Sequence, residues 1–139
     1  MNVDSILLAD YARVGTDGKL DVVGVFNRIP ANTLPATLPF LSLSLVVHGH
    51  SEEGGTAHNI ELRLLNERRE ALSPPMVGEF EFPPASDAYP GLPVRSVKTF
   101  LMLQPSFAEH GLYAFEVYID GTYHAAASFY VGPVDSATN

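Results

Sequence analysis

The chain has 139 residues, and its 16 Asp and Glu outnumber its 8 Lys and Arg, which gives a formal net charge of −8 at pH 7. This charge repels nucleic-acid phosphates and anionic lipids, so we expect neither a nucleic-acid nor a membrane partner. Cysteine is absent, which excludes disulfides, thiolate nucleophiles and cysteine-based metal sites. A chain of this length buries enough surface to fold as one domain without cross-links.

The first residues and the apolar runs bear on where the protein is located. Residues 1–10 have no basic lead and carry acids within a short apolar run, so they are not predicted to be a secretory signal. No apolar run reaches the roughly 20 residues of a membrane-spanning helix. We therefore expect a cytoplasmic protein.

Short runs of β-branched and aromatic residues recur along the chain, with turn-forming residues about every ten positions, which predicts an all-β protein. Signals for helices are nearly missing. Apolar and polar residues alternate within the runs, as in residues 41–47, and this period of two gives a strand one core face. The predicted strands cover residues 4–13, 19–29, 40–48, 58–66, 77–82, 94–103, 112–119 and 123–131.

Two Pro-rich segments, residues 30–39 and 83–93, interrupt this series and are predicted loops, because proline lacks the donor that a sheet needs. About eight antiparallel strands joined in this way are typical of an immunoglobulin-like β-sandwich. Tyr113, at the start of a strand, fits the tyrosine corner of such domains. We expect one domain over residues 1–132 and a flexible tail at 133–139.

The last two strands form a hairpin around Asp120 and Gly121, and the length of its turn decides which residues share a face. A two-residue turn leaves Phe129 and Val131 on the solvent face. A three-residue loop, residues 119–121 with Gly121 in the left-handed conformation, places both on the core face. We prefer the three-residue loop because it buries these apolar side chains.

The chain has more hydrophobic residues than the core of one small sandwich needs. Phe100 and Met102 lie on the face of their strand opposite Leu101 and Leu103, and residues 6–8 are apolar on both faces. Surplus apolar and aromatic side chains on an outer face mark a protein interface, although the long Pro-rich loops are an alternative cover. The predicted interface consists of Phe100, Met102, Tyr118, Tyr130, Ile6 and Leu8.

No constellation of residues predicts catalysis. The sequence has neither a Gly-x-Ser-x-Gly elbow nor a Gly-rich phosphate loop, so we expect no enzymatic activity and no cofactor. His48, His50 and Glu52 are candidate metal ligands. Alternation places His58, the third imidazole nearby, on the other strand face, so we predict no metal site.

An acidic residue inside an apolar strand has to be solvated or hydrogen-bonded, and Asp10 lies in such a strand next to Tyr11. Asp10, Tyr11 and Arg28 are therefore a candidate polar ligand site. The alternative is structural: Asp10 accepts hydrogen bonds from loop amides, or pairs with Arg13 or Arg28.

Residues 7–13 (LLADYAR) and 17–29 (DGKLDVVGVFNRI) carry a resemblance to a known family, and a Pro-rich stretch at 34–39 and a closing hairpin at 111–121 continue it. The layout of L-x-D-Y, G-K-L and V-G-V-F motifs resembles an uncharacterised bacterial family of small single-domain all-β proteins. The resemblance implies the fold and a bacterial or phage origin, and it implies no activity.

We therefore expect a non-catalytic structural or protein-interaction module that associates with itself, through an apolar sheet face or through the edge of the strand at residues 4–13. Two alternatives remain open. One is a phage or capsid-associated decoration protein, and the other is a metal- or carbohydrate-binding module that uses His48, His50 and the acidic loop beside them.

Overall fold

The computed structural model describes residues 1–134, and these are built almost entirely from β-strands, which confirms the all-β prediction. Every predicted strand occurs, and the second of them splits in two at Phe26 and Asn27. The strands are β1 (Asn2–Val14), β2 (Leu20–Val25), β3 (Arg28–Pro30), β4 (Ala36–Thr37), β5 (Phe40–Gly49), β6 (Ala57–Leu65), β7 (Met76–Glu81), β8 (Val94–Leu103), β9 (Ser106–Phe107), β10 (Gly111–Ile119) and β11 (Thr122–Gly132).

The remaining segments are loops, apart from a single turn of 3-10 helix at Ser51–Glu53. The short strands β4 and β9 lie in segments predicted as loops. Within residues 1–134 no helix is long and apolar enough to cross a membrane. Of the predicted tail, Val134 donates its backbone N–H to Asn32 Oδ1 at 2.9 Å, and residues 135–139 lie outside the described residues.

The strands form two larger sheets and a two-stranded third sheet, β4-β9. Sheet I has the order β2-β1-β5-β8, and all its neighbours are antiparallel. Sheet II has the order β3-β11-β10-β6-β7, in which β3 runs parallel to β11. The sequence predicted that β1 is an edge strand. In the strand order β1 lies between β2 and β5, but only Ala9 pairs with both: residues 2–8 pair with β5 and residues 11–14 with β2, so each part of β1 keeps one side without a strand partner in sheet I.

Sheets I and II bury their inner faces against each other around one hydrophobic core. In β5, alternation turns every second residue inward, and each of these side chains is at most 1% exposed. Burying a side chain of this size contributes about 1.5–3 kcal/mol. The fully buried residues of β5 and β10 are Leu41, Leu43, Leu45, Val47, Phe115, Val117 and Ile119.

Aromatic rings close one end of the core. The ring centroids of Phe107 and Tyr113 are 5.0 Å apart, and Phe129 lies 5.6 Å from each of them. The Tyr113 hydroxyl donates a hydrogen bond to the backbone carbonyl of Glu109 at 2.6 Å, which is the bond expected of a tyrosine corner. Burial raises the pKa of Tyr113, so this hydroxyl stays a donor.

The prediction of a three-residue loop in the closing hairpin is wrong. Asp120 and Gly121 form a two-residue turn, with Ile119 opposite Thr122. Both turn residues have positive φ, 51° and 83°, as a type I′ turn requires.

The predicted core of this hairpin is nevertheless largely correct, because a β-bulge follows the turn. The register shifts between Val117 and Tyr118, so that Val117 lies opposite Ala125. This shift returns Phe129 and Val131 to the core, where both are buried. Tyr123, which the preferred register also placed inside, is exposed because it lies on the turn side of the bulge.

The hairpin turn is fixed to β6 by the Asp120 side chain. Its Oδ1 accepts the Asn59 backbone N–H at 2.9 Å, and its Oδ2 lies 2.6 Å from His58 Nδ1. The hydrogen bond with His58, followed by that from Asn59, lowers the pKa of Asp120. His58 stacks on Phe80, with ring centroids 5.3 Å apart. The turn is thereby joined to the core through one imidazole.

We expect Asp120→Ala to lower the free energy of unfolding by about 1–2 kcal/mol, because it removes two hydrogen bonds from a half-exposed carboxylate. Urea denaturation followed by fluorescence measures this change. Asp87→Ala, in the exposed loop before β8, is the matched control and should change stability little. Equal losses in the two variants would show that Asp120 does not anchor the turn.

Candidate functional site: the outer face of sheet I

The pairing of strands determines which residues of sheet I point away from the core. Directly opposed residues of antiparallel neighbours lie on the same face. Val25, Ala9, Ser42 and Leu101 form one such row across β2, β1, β5 and β8. The adjacent row, which contains Leu43, packs into the core. The row from Val25 to Leu101 therefore belongs to the outer face.

Large apolar side chains crowd this outer face. Six of them are between 45% and 71% exposed. They belong to the row just described and to the next row, which lies at the start of β5 and at the end of β8. These residues are Tyr11, Val23, Val25, Phe40, Leu101 and Leu103.

Charged groups are confined to the two ends of the face. At one end Arg13 Nε lies 3.1 Å from Asp21 Oδ2. At the other end Asp4 contacts His48 Nδ1 and lies 3.3 Å from the Arg95 guanidinium. The outward residues between these ends are apolar or are Ser and Thr. The middle of the face thus carries no charge.

The centre of the face holds the small residues Ala9, Ser42 and Ser44, which their neighbours cover almost completely. Across one row the exposed fractions are 57% for Val25, 0% for Ala9, 4% for Ser42 and 58% for Leu101. The small central residues are thus covered by larger side chains, and the flanking Val25 and Leu101 are the ones that meet solvent. Ser44 is 1% exposed, and its Oγ makes no hydrogen bond within residues 1–134. A buried hydroxyl without a partner is costly.

The predicted interface on β8 has to be corrected. Phe100 lies opposite Leu43 and Met102 opposite Leu41, so both turn inward and pack against the core. Leu8 is buried in the core, and Ile6 packs against it. The outward residues of β8 are instead Leu101 and Leu103.

The two predicted tyrosines lie on the other side of the molecule, on the outer face of sheet II. Tyr118 is half-buried, and the Arg63 guanidinium sits 3.8 Å from the centre of its ring. Tyr130 is exposed opposite Leu112. The structure therefore does not bring these residues together with β8, and the predicted patch is divided between two sheets.

Of the predicted polar site, Asp10 and Arg28 line one open depression of about 290 Å³, together with Gly24. The Asp10 carboxylate lies against Gly24, where a Cβ would be 2.3 Å from Oδ2, and Gly24 has a positive φ of 73°. Tyr11 points to the outer face instead. Arg13 binds Asp21 and so does not pair with Asp10.

The histidines considered as metal ligands lie apart, with different partners. His48 contacts Asp4, His58 contacts Asp120, and His50 donates its backbone N–H to Glu53 Oε1 at 3.0 Å. Glu52 is exposed in the same 3-10 turn. Residues 1–134 contain no group of three or more His, Asp or Glu side chains arranged to hold a metal.

One buried carboxylate was missed, because nothing in the alternation of β10 distinguishes Glu116 from a solvated residue. Glu116 is 6% exposed. Its Oε2 accepts Arg69 Nη1 at 2.7 Å, and its Oε1 accepts the Tyr118 hydroxyl at 3.0 Å. The hydrogen bond from Arg69 lowers the pKa of Glu116. This pair holds the turn between β6 and β7 against sheet II.

The folded state depresses the pKa of Glu116. The stability that ionised Glu116 adds to the fold is therefore complete above the unfolded pKa near ~4.3, and it is lost as the pH falls through the folded pKa. We expect Glu116→Gln to cost about 1 kcal/mol at pH 7, since Arg69 is largely solvated. The variant should also lose less stability than the parent chain on acidification below ~4.3. Urea denaturation at several pH values measures both effects.

Glu79→Gln is the matched control, because Glu79 is an exposed carboxylate of β7 in the same sheet. The free energy of unfolding of this variant should fall on acidification as steeply as that of the parent chain. If Glu116→Gln lost stability on acidification as steeply as the parent chain, the stabilising role of this carboxylate would be contradicted.

Comparison with known proteins gives one family match. No curated protein matches the chain. Among solved structures, the Pseudomonas fluorescens alkylpurine DNA glycosylase AlkC, bound to DNA containing an abasic site analog, aligns with a TM-score of 0.45 and 9% sequence identity. The alignment covers 91% of this chain and 30% of that one, and similarity at this level carries no functional argument.

Residues 4–132 match the model of DUF6941, a family of unknown function. This span contains both the L-x-D-Y and V-G-V-F segments and the closing hairpin, so the resemblance to an uncharacterised family is confirmed. The chain belongs to the family of unknown function DUF6941.

Proposed function

We propose that this protein is a non-catalytic interaction module that pairs with a second copy of itself through the outer face of sheet I. One observation carries the proposal: six large apolar side chains, 45% to 71% exposed, gather on a single face whose middle has no charge. Scattered exposed hydrophobic residues are ordinary, whereas contiguous patches mark interfaces.

The size of the face supports a weak, reversible pair. Four strands about 4.8 Å apart and four rows of outward residues give a face of roughly 400–500 Å². The largest apolar patch of an ordinary monomer covers about 300–600 Å² and is often functional. Two such faces bury roughly 800–1,000 Å², below the approximately 1,200 Å² at which standard interfaces begin. We therefore expect dissociation in the micromolar range.

Charge favours a second copy over an oppositely charged partner. The chain carries a net charge of −8, so most of its surface repels another copy. The middle of the face escapes this repulsion, since its charged groups are paired at the ends. A basic partner would find no carboxylate to recognise there, while a second copy brings an equally neutral apolar face. We further propose that the protein is cytoplasmic and has no nucleic-acid partner, and the acidic surface supports the second of these points.

We also propose that sheets I and II form an immunoglobulin-like sandwich. The strands β11-β10-β6-β7 follow the order G-F-C-C′ of variable-type domains, and β1-β5-β8 follow A-B-E. Tyr113 lies near the start of β10, the strand in the F position, where a tyrosine corner belongs. On this assignment β2 is an addition at the edge of sheet I.

Light scattering across the micromolar range tests the self-association. The mass of the parent chain should rise from 15.0 kDa toward twice that value. Leu101→Glu should keep the chain monomeric, because the dimer would bury two unpaired carboxylates, one from each copy, at about 3 kcal/mol each, which corresponds to about a 10⁴-fold weaker dimer.

Leu112→Glu is the matched control, since Leu112 is an exposed leucine on the outer face of sheet II. It should dimerise like the parent chain. A parent chain that stays monomeric at high micromolar concentration would overturn the proposal, as would equal dimerisation of the two glutamate variants.

A further inference from the structure

We propose that the His58 ring carries a proton on both of its nitrogens, and that Thr56, His58 and Asp120 form a pH-sensitive latch on the closing hairpin. Contacts at both ends of the ring can all be hydrogen bonds only if the ring donates at both ends. The latch lies in sheet II and is independent of the proposed self-association through sheet I.

The His58 ring lies between Asp120 and Thr56. Its Nδ1 is 2.6 Å from Asp120 Oδ2, and its Nε2 is 2.7 Å from Thr56 Oγ1. Thr56 Oγ1 also lies 2.6 Å from the backbone carbonyl oxygen of Glu53, in the 3-10 turn. The ring thus joins three segments, which are the turn of the closing hairpin, the first part of β6 and the 3-10 turn.

The number of available protons determines the charge of the ring. The Glu53 carbonyl accepts hydrogen bonds and cannot donate, and the same holds for the Asp120 carboxylate, whose lowered pKa keeps it ionised. The single hydroxyl proton of Thr56 therefore goes to Glu53, and Thr56 Oγ1 accepts the proton of His58 Nε2. Nδ1 has to donate to Asp120 as well. A ring that donates from both nitrogens is an imidazolium.

Neither neutral form of the His58 ring satisfies all these contacts. With a proton on Nε2 alone, the bare Nδ1 would lie 2.6 Å from the Asp120 carboxylate. With a proton on Nδ1 alone, Nε2 would need the Thr56 proton, and two oxygens 2.6 Å apart would have no proton between them. Each neutral form thus opposes two acceptors at a distance that suits only a hydrogen bond.

The same assignment excludes a catalytic role that the order Thr56, His58, Asp120 suggests. In a hydroxyl-imidazole-carboxylate triad the ring accepts the hydroxyl proton and so activates the oxygen as a nucleophile. Here Thr56 gives its proton to the Glu53 carbonyl, and the ring has no free lone pair to accept it. The arrangement therefore acts as a structural contact.

The surroundings of the ring favour its charged form. The His58 side chain is 13% exposed, and its ring stacks on Phe80 of β7 at a centroid distance of 5.3 Å, an arrangement that stabilises a cation. Glu79 and Glu81 alternate with Phe80 and point to the other face of β7. The titratable groups that act on the partners of the ring are Asp120, Glu53, His50, His124 and the amino group of Met1.

The latch is complete only within a limited pH range. Because the pKa of Asp120 is lowered, its contribution is complete above the ordinary aspartate pKa of about 3.9 and is lost as the pH falls through the folded pKa. The second ring proton is present below the value of about 6.5 that is ordinary for histidine, and it is lost as the pH rises through the titration of the folded ring. The latch is therefore complete in weak acid and weakens in alkali.

NMR of the imidazole nitrogens tests the assignment on the parent chain. At a pH at which the exposed His50 ring already shows one bare nitrogen, His58 should still show protons on both. Thr56→Val keeps the shape of the side chain and removes the acceptor of the Nε2 proton, so His58 should lose this proton at a lower pH than in the parent chain. A parent His58 that shows a bare Nε2 as early as His50 would overturn the proposal.

Stability gives a second readout. As the pH rises from about 6 to about 8, the parent chain should lose up to about tenfold in its folding equilibrium constant, the worth of one hydrogen bond from a charged group. Urea denaturation measures this loss. His58→Gln should remove the dependence, because an amide does not titrate, whereas His50→Gln is the matched control and should keep it. Equal pH dependence in the two variants would show that His58 is not a latch.

Discussion

The alternation of leucine and serine along β5 is the constraint on which the rest of the structure depends. Leu41, Leu43 and Leu45 are each at most 1% exposed and form the centre of the core. A shift of one residue would exchange leucines and serines between the two faces, so the register of β5 against β1 and β8 is strongly determined. The same register turns Ser42 and Ser44 outward. The small residues in the centre of the outer face are therefore a direct consequence of the pattern that builds the core.

The sequence was sufficient to predict strands and insufficient to orient β8. Residues 94–103 place apolar side chains on both faces of the strand, Phe100 and Met102 on one and Leu101 and Leu103 on the other. Alternation cannot decide which pair faces inward when both are apolar. The pairing of Phe100 with Leu43 decides it, and this is long-range information. The residues of β8 that point outward are therefore Leu101 and Leu103, in place of the predicted Phe100 and Met102.

The closing hairpin shows two local rules in conflict. Asp120 and Gly121 favour a two-residue turn, while burial of Phe129 and Val131 favours the register of a longer loop. The chain satisfies both by inserting a bulge next to Val117, an irregularity that neither rule predicts alone. The bonds from Asp120 to His58 and Asn59 add a contact between distant segments. Such contacts lie outside any argument from local pattern.

The outer face of sheet I combines features that an isolated domain would gain from losing. An unpartnered buried hydroxyl such as that of Ser44 costs about 1–3 kcal/mol, and alanine at this position would remove the penalty. This change would not disturb the core, because Ser44 points away from it. The exposed side chains around it, among them Val25, Leu101 and Leu103, add a second such feature, because contiguous exposed hydrophobic residues are the mark of a protein interface rather than of a solvated sheet.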